Sequence, residues 1–165
     1  MSTELIAAIA NVALTLSLIV GIVFGIAQVK TARRDRRERL TMETLRNYQS
    51  REFAEIILFT TTAKFPKYYS EWSALPLGDR AHFVQLMQQM ETLGILLADG
   101  LIDITLVDKT LGSFVITSWE KYKPLVMDMR ERTADPFLAE YFQWLAEKIE
   151  RRMRDNPRKP FHESN

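Results

Sequence analysis

Residues 5–27 read LIAAIANVALTLSLIVGIVFGIA, 23 residues without a charge. At ~1.5 Å of rise per residue a helix of this length reaches ~34 Å, slightly more than the ~30 Å hydrocarbon core of a bilayer. Lipid offers no water to backbone N–H and C=O groups, so a lone apolar segment of this length must be helical there. The β-branched Ile6, Ile9, Val12, Ile19, Val20, Ile22 and Val23 do not argue against that. The stretch therefore reads as a transmembrane helix over 5–29, after a short external N-terminus, 1–4. A cleaved secretory signal is the competing reading. Met1-Ser2-Thr3-Glu4 lacks its positive n-region, and the apolar run is longer than its usual core.

Immediately downstream, Lys30, Arg33, Arg34, Arg36, Arg37 and Arg39 put six cations into ten residues, against Asp35 and Glu38, whereas residues 1–29 contain no Lys or Arg. By the positive-inside rule this end stays in the cytoplasm, giving a single pass with the N-terminus outside. Anionic headgroups are the nearest phosphates to the cluster, and each cation contributes ~1 kcal/mol toward them, so membrane lipids are an expected partner. The same cluster read as a nucleic-acid patch finds little support. The formal charge of the whole chain is only +1, and no RNA-binding aromatic motif accompanies it.

Within the span, Ala13, Ser17, Gly21 and Gly25 recur every fourth residue and form one smooth strip. Small side chains let helix backbones approach closely, which in lipid replaces the missing hydrophobic drive for association. A partner helix, from another membrane protein or from a second copy, is the natural inference; a chance match in a Gly- and Ala-rich span is the bland one. Asn11 and Thr15 lie on a neighbouring strip where they would hydrogen-bond across helices. Leu18 and Ile22 complete that strip with apolar groups, which weakens the idea that it lines an aqueous path.

The remaining ~130 residues suffice for one compact core. Residues 40–147 hold ten basic and fifteen acidic side chains between two basic ends, so the body would be repelled by an anionic leaflet while its ends are attracted. The stretch 30–64 has no Gly or Pro. Leu45, Tyr48, Ile56, Phe59 and Ala63 share a face with Glu52 at its middle, predicting that the span continues as a long helix up to Phe65-Pro66. Residues 65–78 read as an irregular aromatic-rich connection, with Phe65, Tyr68, Tyr69 and Trp72 either sealing the core or presenting a partner surface.

A body at 79–154 follows. Its first helix starts near Asp79 and buries Phe83, Leu86, Met87, Met90, Leu93, Gly94 and Leu97, stopping at Asp99-Gly100. Asp103 caps the next, whose core face is Ile104, Val107, Leu111, Phe114, Val115, Trp119 and Tyr122 and which Pro124 breaks or kinks, with 125–132 extending or restarting it. Asp135-Pro136 signals the start of a last helix with Leu138, Tyr141, Phe142, Leu145, Ile149 and Met153 inward. Pro157 and Pro160 end the order in a flexible tail, 155–165. The fold class is all-α: one membrane helix joined to a bundle of about four helices.

No catalytic, cofactor-binding or metal-binding residue is expected. Cysteine is absent, which removes disulfides, zinc-thiolate sites and a Cys nucleophile. His82 and His162 are isolated, so a zinc-protease pair is missing. Glu52 and Glu91 lack the Glu-x-x-His partners of a di-iron site, and Glu52 is expected to pair with an Arg such as Arg130 or Arg132, or to lie at the rim of its stripe. The Asp99, Asp103, Asp108 segment puts Ile and Leu where calcium ligands belong.

LADGLID before a helix, then SWEKYKP, RER, DPF and FQWLAE resemble an uncharacterised bacterial family of short proteins known only as a domain of unknown function. The marks are Gly100, Trp119, Pro124, Arg130, Pro136 and Trp144, across roughly 86–147. The resemblance implies one N-terminal membrane helix, a helical cytoplasmic domain and a place in the bacterial inner membrane, and it carries over no catalytic residue. The expected role is an adaptor, accessory subunit or regulator of a membrane assembly. The alternatives are an oligomeric effector that perturbs or conducts across the bilayer and, less favoured, a membrane-tethered enzyme.

Overall fold

A computed structural model of the chain describes residues 2–159 and 161–163. Six α-helices run in the order α1 (Thr3–Asn47), α2 (Arg51–Thr62), α3 (Tyr69–Ser73), α4 (Leu77–Ala98), α5 (Ile104–Thr133) and α6 (Glu140–Asp155), followed by a single 3-10 turn at Phe161–Glu163. No strand occurs among the described residues, and the all-α class holds. The chain divides into two units, Met1–Arg39 and Leu40–Asn165.

The first unit is helical from Thr3 onward, long and apolar enough to cross a membrane, and wholly exposed: Leu14 is 69% and Val20 66% accessible. Thr15 Oγ1 donates to the Asn11 carbonyl at 2.9 Å within the same helix.

The second unit has one continuous core. Helices α4 and α5 both pack on α6. Aromatic rings meet edge-on through its centre: Phe53 with Tyr48 and Phe114, Phe83 with Phe59 and Phe65, and Phe142 with Trp119 and Tyr122. Such offset geometries suit the ring quadrupole. The buried Tyr122 hydroxyl donates to the Phe83 carbonyl at 2.6 Å, and burial pushes its pKa well above the usual value.

Several local expectations change. The long helix ends at Asn47, because Tyr48 and Gln49 close i→i−3 turns and Ser50 caps α2, its hydroxyl accepting from Phe53 N at 3.2 Å. That break resets the helical phase. Glu52 therefore faces solvent as the second residue of α2, where its own N–H and the Ser50 side chain hold its carboxyl below the usual value. It does not pair with Arg130 or Arg132: Arg130 donates to the Leu138 carbonyl and Gln143, and Arg132 bridges Asp128. The connection after Pro66 contains α3, and α4 begins two residues before Asp79, behind Pro76.

Helix α5 continues unbroken through Pro124. The missing N–H falls where both Pro124 and Glu120 are exposed, so water can solvate the freed carbonyl. Asp135-Pro136 starts a turn instead of a helix. Asp135 Oδ1 accepts from Phe137 N at 3.0 Å, and α6 begins only after Ala139, which sits at φ 57° with no side-chain cap. Arg158, past Pro157, remains tied to the bundle by Asp108; Pro160 lies outside the described residues.

Other readings match. Phe83, Leu86, Met90, Leu93, Gly94 and Leu97 are buried on α4. Gly100 takes φ 68° and closes the helix, with Leu101 N bonded to the Leu96 carbonyl and Gly100 N to that of Leu97. Asp103 Oδ1 accepts from Thr105 N at 2.7 Å and caps α5.

Candidate functional site

The strip Ala13, Ser17, Gly21, Gly25 lies along exposed helix. A Cβ built on Gly21 or Gly25 would meet nothing within 4 Å, so no contact within the chain accounts for the missing side chains. Lys30, Arg33, Arg36, Arg37 and Arg39 are exposed on the same helix, and Arg34 forms an i,i+4 bridge with Glu38 at 2.8 Å. A bridge this exposed contributes little by itself.

The four aromatics of the connection separate into different roles. Phe65 seals the core, its ring 4.9 Å from Phe83 and 5.2 Å from Tyr122, with Lys121 Nζ 5.5 Å above it. The same ammonium donates to the Thr60 carbonyl at 2.7 Å, placing a cation at the C-terminus of α2 where the helix dipole favours one. Tyr69 and Trp72 lie 5.6 Å apart, each beneath a guanidinium, Arg132 and Arg80 respectively. Tyr69 N donates to Asp128 Oδ2 at 2.7 Å, which with the Arg132 bridge holds that carboxyl below its usual pKa. Tyr68, 54% exposed, is the member most available to a partner.

Two carboxylates acquire roles that spacing does not reveal. Glu91 of α4 accepts from Phe142 N at 3.1 Å and Tyr141 N at 3.4 Å, supplying the cap that Ala139 cannot give α6. Burial raises its pKa despite those two donors. Asp108 is only 3% exposed on α5; Arg152 reaches it at 3.4 Å and Arg158 at 3.1 Å. Gly112 makes room for this arrangement, since a Cβ there would stand 2.8 Å from Asp108 Oδ1. An Asp one turn after a cap, inside an apolar run, was the available signal for burial; its two Arg partners lie 44 and 50 positions away along the chain.

Three shallow grooves flank the outer side of α4. One of about 400 Å³ lies between α4 and the end of α1, lined by Thr44, Asn47, Tyr48, Gln85, Gln88 and Thr92 among others. A second of about 540 Å³ is lined by Trp72, Leu77, Arg80 and Val84, and a third of about 610 Å³ by Met87, Glu91 and Phe137; Gln88 borders all three. Among the described residues no group of three or more His, Asp or Glu side chains is placed to hold a metal ion. His82 stacks on Phe59 at 4.9 Å, a packing role.

A family model described as "Domain of unknown function (DUF4760)" matches residues 15–149. No curated protein and no solved structure matches the chain.

Proposed function

The chain belongs to the DUF4760 family, and on that premise we propose that it is a single-pass membrane-anchored adaptor or accessory subunit acting by protein–protein contact in the bacterial inner membrane. The observation that carries this reading is the exposure of α1: an uncharged face of 23 residues open on every side, far beyond the apolar patch a soluble monomer tolerates. Six cations immediately after it orient the span with the N-terminus outside and the body in the cytoplasm, and draw on anionic headgroups. The body offers grooves and aromatic surface, which favours recognition of a partner.

In the span, the strip centred on Gly21 and Gly25 is the face for a second helix. Its test is extraction of the full chain from native membranes in mild detergent, with identification of what copurifies. Because nothing in the chain occupies the space at either glycine, Gly21→Ile and Gly25→Ile leave the fold intact and should reduce recovery of the partner several-fold. Undiminished recovery in both variants overturns the contact through the span.

A further inference from the structure

Helix α4 turns a face without a single charge to solvent. Leu77, Ala81, Val84, Gln88, Thr92 and Ile95 are all exposed and follow each other at steps of four, three, four, four and three residues. That is the helical period, so they form one straight stripe ~27 Å long. The four titratable side chains of α4, Asp79, Arg80, His82 and Glu91, are all partly buried beside the stripe. Neighbouring helices differ: Lys109 and Glu131 are exposed on α5, as are Glu147, Lys148 and Arg151 on α6. A solvated helix face normally carries charge, and its depletion over an exposed, partly apolar strip is the mark of an interface centre. The grooves on either side of Gln88 are furrows into which the ridges of a facing helix fit.

We propose that this stripe pairs with the same stripe of a second copy, the two α4 helices running antiparallel about a two-fold axis between Val84 and Gln88. The stripe reads nearly the same from both ends. In that register Leu77 meets Ile95 of the second copy, Ala81 meets Thr92, and Val84 meets Gln88, so large apolar groups face each other at both ends and small ones face each other next to them. Beside them Gln85 meets Gln88 of the second copy. A carboxamide carries donors and an acceptor together, so such a pair is satisfied by its own kind, which an isologous interface requires.

A single helix face of this length and ~10 Å width covers a few hundred Å² per copy, less than the ~800 Å² per partner of a free-standing complex. The pairing is therefore weak between free molecules and gains from copies being confined together, which rests on the membrane-anchored reading above.

The chain has no cysteine, so a single introduced thiol reports one site. Full-length Gln88→Cys is reconstituted in liposomes and treated with a short bismaleimide, beside Lys148→Cys on the exposed side of α6. The expected result is a covalent dimer several-fold more abundant for Gln88→Cys, lost on adding Val84→Arg, with helicity by circular dichroism unchanged, and retained on adding Gly21→Ile. Equal yields at both positions, indifference to Val84→Arg, or loss with Gly21→Ile each overturn pairing through α4. Vesicle flotation reads the anchoring separately: a chain that floats without cross-linking sinks only the α4 pairing, and one that fails to float sinks the anchored reading.

Discussion

Glu91 and Phe142 join two helices by a single carboxylate: Glu91 Oε1 of α4 accepts from the Phe142 backbone N–H of α6 at 3.1 Å, capping a helix to which it does not belong. The neighbouring approach is as close as backbone permits, for Gly94, one turn along α4, faces the Tyr141 carbonyl. At the α4–α6 contact, one acid thus supplies a cap and one missing side chain leaves room for backbone.

Replacing Glu91 by Ala should cost about 1 kcal/mol, the usual magnitude of a lost N-cap, measured by urea denaturation of the detergent-solubilised chain. Glu91→Gln keeps an acceptor and should cost less. Because burial raises the folded pKa of Glu91 above its ordinary 4.5, the folded state holds this proton more tightly. Stability from this group is therefore full below that ordinary value and is lost as pH rises through the raised one. The wild type should lose ground to Glu91→Gln on raising pH across that window; a constant difference between them would contradict this.

A Cβ at Gly94 would stand 2.8 Å from the Tyr141 carbonyl carbon, and backbone cannot yield as a flexible side chain can. Gly94→Ala should destabilise by ~1–3 kcal/mol or more. Gly78, in the first turn of the same helix with nothing within 4 Å, is the control: Gly78→Ala should be neutral or stabilising by up to ~1 kcal/mol. Equal midpoints for the two variants would show that the close approach carries no weight.

Phe65→Ala removes a half-buried ring that touches both Phe83 and Tyr122 and should cost ~2–3 kcal/mol, whereas Tyr68→Ala, at 54% exposure, should stay within ~0.5 kcal/mol. Thermal melts of the two variants decide whether the aromatic connection divides into a sealing and an exposed part as described.

The C-terminal segment should be held by Asp108. Asp108→Asn weakens its bonds to Arg152 and Arg158, and tryptic cleavage after Arg158 should accelerate several-fold. Rising ionic strength should act in the same direction, because Arg158 is 42% exposed and open to screening. Cleavage unaffected by either change would mean that the segment is not retained by this pair.

The α4 core face is readable without coordinates because Phe83 to Leu97 repeat at the helical period with no competing signal, and Gly100 and Asp103 advertise a stop and a start through backbone chemistry that few residues supply. The break at 48–50 is harder to foresee. It uses neither Gly nor Pro, only Ser50, a residue equally at home inside a helix. Asp135-Pro136 is a good helix start that is overridden, since Arg130 bonds the Leu138 carbonyl and Gln143 and so stabilises a turn first. Glu91 and Asp108 act through partners some 50 residues distant, which local spacing does not encode. The small-residue strip of the apolar N-terminal helix and the charge-free stripe of α4 are both countable in the sequence, yet only the fold tells which side of α4 is left uncovered.

Everything rests on α1 crossing a bilayer and leaving the bundle in the cytoplasm. The most direct measurement places single thiols at Ser2→Cys and Lys148→Cys in this cysteine-free chain and exposes intact cells to a membrane-impermeant maleimide. Ser2→Cys should react in intact cells and Lys148→Cys only after lysis, with both chains in the membrane fraction. Labelling of Lys148→Cys in unbroken cells, or recovery of the chain in the supernatant without detergent, would contradict the account at its root.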